Sequence, residues 1–335
     1  MVTVFAKLTI TLSLFLLISS SSHAAIVKEV ASGKTSQYKY NAVLAQDMSG
    51  SAYVNGQVFM AYDGGKNSEY PEIRYSGLSD ITEPAPILIR QILQRDIEGA
   101  TQVNNTVFVT SSMSQVNEDT SDYRVLAAFS LDNDGAVKDE RYVYAREMLL
   151  DALKVKFGNN DWLRRVRISF GKSGGLNVEG LSASPLSDSA LVFGLRSPLY
   201  ADNFGSPEFD KDLSLSTGEA ILLEVSDPFN SKYTTKITTL DLKGDGVRGL
   251  EYIPSMQGYI IISGGVEKKD GYGLWFYAPK TNELRSLTSD SPLFGKLCRP
   301  ESVLNIPEES SFLILSEESG SACKNSEITF VKYAY

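Results

Sequence analysis

Five short segments carry acids and arginines at matching positions. They are Asp47-Met48-Ser49-Gly50, Asp96-Ile97-Glu98-Gly99, Asn177-Val178-Glu179-Gly180, Gly246-Val247-Arg248-Gly249 and Arg299-Pro300-Glu301-Ser302. Each precedes a short semi-apolar run, a turn, and a stronger apolar run. If the segments converge, they form a ring of Asp47, Asp96, Glu98, Glu179, Arg248, Glu251, Arg299 and Glu301, with Arg196 near it or at the opposite end. Glu98, Glu179 and Glu301 could then hold Ca²⁺ or Mg²⁺, hard ions that prefer oxygen ligands. The arginines could instead clamp a small polar ligand, or a protein, through paired hydrogen bonds. A third outcome is that acids and arginines neutralise each other and tie neighbouring elements together.

Composition narrows the chemistry. The single histidine, His23, lies in a segment expected to be removed. A mature chain without imidazole has no Ser-His-Asp triad, no Cys-His pair and no histidine-ligated metal. Any general acid or base must then be a carboxylate, and metal-assisted hydrolysis of an ester or phosphate is the class of reaction that would follow. The sequence assigns no catalytic residue. The net charge is −9, and loss of Lys7 with the leader makes it one unit more acidic. Such a surface repels phosphate backbones, so nucleic acid is not an expected partner.

The leader itself is legible. A cationic start with Lys7, an apolar run Leu8–Ile18 and a small-residue stretch Ser19–Ala24 read as a signal peptide cleaved after Ala24. The apolar run is too short to span a bilayer, which needs about 20 residues. The expectation is a periplasmic or secreted monomer that is not membrane-embedded. In that compartment Cys298 and Cys323, 25 positions apart, should form a disulfide.

The elements that must position the ring are mostly strands. Runs such as Gln57–Tyr62, Thr106–Thr110, Ala190–Leu195, Tyr259–Ser263 and Ser311–Leu315 are apolar and β-branched or aromatic, and polar turns separate them. Anchored on the fourth residue of each segment, the repeat falls at positions 50, 99, 180, 249 and 302. Spacings near 50 with several strands each are a β-propeller pattern. The expectation is one all-β domain over residues 25–335, a five-bladed β-propeller with six blades as the alternative. The final repeat is short, so the N-terminal stretch around Ile26–Val30 or Tyr38–Leu44 should supply a strand that closes the ring. Arg146–Phe157 has helical spacing and a following Gly158 stop, which predicts one helical insertion between the second and third blades.

Val178-Glu179-Gly180-Leu181 followed by Gly194-Leu195-Arg196-Ser197-Pro198 resembles the signature of a bacterial secreted family of unknown function, with E-G-L and G-L-R-[SG]-P segments. That family is similar to the esterase-like phytase propellers. Gly246–Glu251 resembles its arginine-containing repeat. The resemblance implies a propeller and no particular activity.

Other motifs are better explained by structure. Asp132-Asn133-Asp134-Gly135 lacks the glutamate of a calcium loop and reads as a hairpin turn. Arg164, Arg165, Arg167 and Lys172 form the one basic cluster and read as a solvated loop. Trp162 and Trp275 read as packing residues. The combined expectation is an exported binding or scaffold propeller using its channel mouth. The alternative is a metal-dependent esterase or phosphatase acting through the same carboxylates.

Overall fold

The computed structural model describes residues 27–35, 39–40, 43–44, 48–62, 72–77, 80–88, 94, 96–115, 121–132, 136–200, 218–266, 271–317, 323 and 328–335. The leader assigned to residues 1–24, His23 within it, and Asp47 lie outside the described residues.

β1 (Lys28–Thr35) is followed by a two-stranded ribbon of β2 (Lys39–Tyr40) and β3 (Val43–Leu44). The other strands form four-stranded antiparallel sheets. The first sheet is β4 (Met48–Val54), β5 (Gln57–Tyr62), β6 (Glu72–Gly77) and β7 (Asp80–Leu88). The second is β8 (Ile97–Val103), β9 (Thr106–Ser111), β10 (Val125–Leu131) and β11 (Val137–Tyr144). Helices α1 (Arg146–Phe157) and α2 (Asp161–Ile168) come next. The third sheet is β12 (Asn177–Ala183), β13 (Leu191–Tyr200), β14 (Glu219–Val225) and β15 (Thr235–Leu240). The fourth is β16 (Gly246–Ile253), β17 (Gly258–Gly264), β18 (Tyr272–Ala278) and β19 (Glu283–Ser286). The fifth is β20 (Pro300–Ile306), β21 (Ser311–Glu317) and β22 (Ile328–Ala334), completed by β1 pairing antiparallel to β22.

The first strand of each sheet packs against the first strand of the next. β4 meets β8, β8 meets β12, β12 meets β16, β16 meets β20, and β20 returns to β4. That closed circuit makes this an all-β propeller. Alternation along the strands sends successive side chains to opposite faces, and each gap between neighbouring sheets fills with its own apolar core. Phe59 and Phe129 meet between the first two sheets, and Leu126 and Phe193 lie in the core between the second and third. Leu222 and Ile261 share the next gap, then Ile262 and Phe312, and Met60 and Leu313 fill the last. Burying one such side chain contributes roughly 1.5–3 kcal/mol, so stability is spread around the wheel.

The N-terminal expectation is met by β1 rather than by residues 38–44. Glu29 on β1 anchors the closure, accepting hydrogen bonds from the backbone N–H of Leu293 and from the Tyr333 hydroxyl, at 3.1 and 3.2 Å. The pairing of β1 with β22 ties the first and last described strands into one sheet.

The insertion departs from the sequence expectation by one helix. α1 forms over the expected residues, burying Leu149, Leu150 and Leu153, and ends at Gly158 with φ of 89°. The arginine cluster read as a loop is instead α2. Asn160 caps it, its side chain accepting from Leu163 N–H at 3.0 Å, while Trp162, Leu163 and Val166 turn inward. Arg164 and Arg167 pair with Asp161 and Glu147 on the outer face. Both tryptophans are buried packing residues, as expected, and Trp275 Nε1 donates to Ser263 Oγ at 2.9 Å.

Candidate ligand site at the channel mouth

The repeated segments become the starts of the five innermost strands, and each start is bulged. Pairing skips one residue between Met48 and Gly50, Ile97 and Gly99, Val178 and Gly180, Val247 and Gly249, and Pro300 and Ser302. A bulge sets one residue outside the ladder and re-aims its side chain. The skipped residues are Ser49, Glu98, Glu179, Arg248 and Glu301, one from each blade at one end of the channel.

The residue after each bulge explains the glycine of the motif. A Cβ on Gly50 would stand 2.6 Å from Ala100 N, and one on Gly249 would stand 2.8 Å from Glu301 O. Neighbouring inner strands approach too closely for a side chain there. In the fifth blade the place is taken by Ser302, whose hydroxyl lies 2.6 Å from that of Ser51 on the first.

Closure brings the charges together. Arg196 Nη1 lies 2.7 Å from Glu179 Oε1, and Arg248 Nη1 lies 3.0 Å from Glu179 Oε2 and 3.5 Å from Glu301 Oε2. Arg299 approaches Glu301 at 3.6 Å and Glu317 at 2.8 Å. Asn177 Nδ2 also donates to Glu179 at 3.3 Å. Glu179, Arg248, Glu301 and Arg196 are 3, 4, 6 and 8% exposed, so these pairs are shielded from bulk water. Arg196 is held from its far side by the backbone oxygens of Gly265 and Val266.

Three guanidiniums, of Arg196, Arg248 and Arg299, thus share a neighbourhood with the carboxyls of Asp96, Glu98, Glu179, Glu301 and Glu317. Two of these acids, Asp96 and Glu301, are pushed toward their protonated forms. Burial pulls the Glu179 carboxyl upward, but Arg248 and Arg196, with the hydrogen bonds from Arg196 and Asn177, hold it below the usual range. Burial pushes Glu301 up to about 7 against the pull of Arg248, and Glu179 adds to the rise. Asp96 is also raised, first by burial, with its bond to Ser112 opposing. Burial weakens the Arg248 charge, but Glu179 and Glu301 outweigh it and keep that group firmly protonated.

The ring therefore gathers Asp96, Glu98, Glu179, Arg196, Arg248, Arg299 and Glu301. It does not gather Glu251, which lies further along β16 and takes a hydrogen bond from Thr101 Oγ1 at 3.1 Å. Burial pushes the Glu251 carboxyl up to about 8. Glu317 is a member that sequence reading missed, since it ends an apolar strand outside the repeated segment. Arg248 stands between Glu179 and Glu301, and among the described residues no group of three His, Cys, Asp or Glu side chains is placed to hold a metal ion. Within the ring, Glu179 Oε2, Glu301 Oε1 and Arg248 Nε are buried without a hydrogen bond.

The second motif completes the mouth from β13. Gly194 gives way to Val247, to which a Cβ would come within 2.5 Å. Leu195 enters the core, Arg196 reaches Glu179, and Ser197 Oγ lies within hydrogen-bond reach of the carbonyls of Gly171 and Gly175, at 2.8 and 2.6 Å. The Cys298–Cys323 disulfide forms as expected, beside Arg299.

No family model matches the chain, and no curated protein matches it. Among solved structures, the chain is similar to the periplasmic gluconolactonase of Pseudomonas aeruginosa, at 10% identity and a TM-score of 0.39, covering 84% of this chain and 88% of that one. It is also similar to a chain of the mitotic checkpoint complex, at 9% identity and a TM-score of 0.33, covering 84% of this chain. The chain spans 62% of that checkpoint-complex chain. Likenesses this distant say nothing about activity, and the propeller assignment rests on the sheet circuit described above. Among the described residues no helix is long and apolar enough to cross a membrane.

Proposed function

We propose that the chain is an exported five-bladed propeller of the secreted family its two motifs resemble, and that it binds a small polar ligand at the bulged end of its channel. The observation that carries this reading is the set of buried polar atoms left short of hydrogen bonds in the ring, an acceptor on Glu301 and a donor on Arg248, with Glu179 Oε2 met only by the Arg248 guanidinium at 3.0 Å. Buried polar groups are nearly always satisfied by protein or by something bound. A ligand offering both hydroxyl donors and acceptors matches this set. The disulfide supports an oxidising compartment such as the periplasm or cell exterior.

The test is a thermal-shift series on the mature chain with sugars, sugar acids and polyols, and with Ca²⁺, Mg²⁺ and Mn²⁺ with and without chelator. A ligand that binds only the folded state raises the midpoint. The expected result is stabilisation by a polyhydroxylated compound, lost in Arg299→Ala, which leaves the buried ring residues in place. No shift from any compound, or a shift that survives both Arg299→Ala and Arg248→Met, sinks the reading.

A second reading is hydrolysis of an ester or phosphate with Glu301 moving the proton. It rests on the place of Glu301 in the ring, where burial raises its carboxyl to about 7, the range in which a general acid or base works best. It requires turnover that Glu301→Gln abolishes. Absence of turnover on nitrophenyl esters and phosphates across pH 6–8 excludes it.

A further inference from the structure

The helical insertion reverses the charge of the molecule. Residues 146–172 hold seven basic and three acidic side chains, a net of +4 in a chain whose total is −9, so the remaining residues carry −13. Charge sorted this sharply along a chain marks a face for an oppositely charged partner.

α1 and α2 form a hairpin whose inner side enters the core between the second and third blades, through Leu149, Leu153, Trp162 and Val166. Two contacts fix the pair. Phe157 meets Trp162 edge-on at 5.5 Å, and the buried Arg146, at the start of α1, donates to the carbonyl of Arg167 near the end of α2 at 2.6 Å. On the outer side the Arg167 guanidinium pairs with Glu147, so the outer faces of the two helices adjoin.

That outer face mixes cations with bare apolar side chains. Val155 is 84% and Ile168 72% exposed, and Phe170, just beyond α2, is exposed too. They are three of the seven large apolar side chains that the described residues leave exposed. Lys154 and Lys156 flank Val155 and are themselves exposed, and Arg164, Arg165 and Arg167 precede Ile168. Arg164 and Arg167 pair with Asp161 and Glu147, but exposed pairs of this kind hold their partners weakly.

We infer that this face docks the protein onto an anionic lipid surface. Lysine and arginine stems lie along the apolar layer while their charges meet the phosphates, and Val155, Ile168 and Phe170 enter the headgroup region. A protein partner fits less well. Protein interfaces close around a packed apolar centre and are depleted in lysine, whereas here apolar side chains stand singly among cations. The same lipids repel the acidic remainder of the chain, which leaves the hairpin as the side that approaches. The loop that leaves α2 is anchored at the channel mouth, where Ser197 Oγ lies 2.8 Å from the Gly171 carbonyl. Docking therefore keeps the mouth close to the lipid.

The experiment is co-sedimentation of the full mature chain with vesicles of phosphatidylcholine alone and of phosphatidylcholine with one quarter phosphatidylglycerol. Binding is expected only to the second, and it should fall away in about 0.5 M salt, where charges are screened. Replacing Lys154 and Lys156 together with glutamine should weaken binding about twentyfold, each lost cation counting for roughly a factor of five. Val155→Ser should weaken it severalfold. Thermal midpoints should not move in either variant, because these three side chains are exposed. Arg299→Ala, at the channel ring, should leave lipid binding unaltered. No binding to phosphatidylglycerol vesicles, equal binding to both vesicle types, or indifference to the lysine replacements overturns the proposal. So does full competition by soluble polyglutamate together with indifference to Val155→Ser, which assigns the face to an acidic protein.

Discussion

Arg196 donates to Glu179 at 2.7 Å across the third blade, and this single ion pair joins the two sequence motifs of that blade. Glu179 sits on the bulge of β12, and Arg196 lies on the paired strand β13. Because Arg248 of the next blade also approaches Glu179 at 3.0 Å, one carboxylate is shared by two guanidiniums from two blades.

That asymmetry predicts unequal effects of truncation. Arg196→Leu leaves Glu179 with Arg248, whereas Glu179→Leu leaves Arg196 without a carboxylate and Arg248 with Glu301 at 3.5 Å. Breaking a buried pair from one side typically costs 3–5 kcal/mol. Glu179→Leu should therefore lower stability more than Arg196→Leu, by about 2 kcal/mol. Urea unfolding of both variants checks this, and an equal or reversed order would contradict the shared-carboxylate geometry.

The close approach of inner strands makes a second prediction. A Cβ on Gly180 would come within 2.9 Å of Leu250 and Val247, while one on Gly271 meets nothing within 4 Å. Gly180→Val should destabilise by roughly 1–3 kcal/mol through overpacking, and Gly271→Ala should change little. Thermal midpoints of the two variants decide it.

Glu251 predicts a pH signature. Its carboxyl is raised to about 8, with burial as the cause and the Thr101 hydrogen bond opposing. A raised carboxyl favours the protonated folded form. Its contribution is whole below the ordinary carboxylate range near 4 and is lost as pH rises through about 8. Glu251→Gln keeps an acceptor for Thr101 and removes the titration. Its melting temperature should match the parent at pH 4 and exceed it by a few degrees at pH 8.5. A constant difference across that range would mean that Glu251 does not titrate abnormally.

The disulfide predicts a fourth outcome. Cys298 precedes Arg299, and Cys323 closes a separation of 25 residues. In the chain-entropy view, cross-linking a loop of this length contributes about 3 kcal/mol. Replacing both cysteines with serine should lower stability by that order, measured by denaturant unfolding. A variant as stable as the parent would assign the bridge no role in holding the fifth blade.

Residue types and their spacing alone carried much of this protein. Alternation marked the strands, the Gly- or Ser-ending segments marked where each blade begins, and Arg146–Phe157 marked a helix, because these depend on which face a nearby residue presents. α2 escaped notice because Trp162, Leu163 and Val166 make a short apolar face hidden among arginines. What only the tertiary structure decided was which charges meet. Glu317 joins Arg299, Arg196 comes to the same end as Glu179, and Glu251 stays apart, because bulges and ring closure set those distances. A strand's period records its two faces but carries no information about which residue on another blade it will meet.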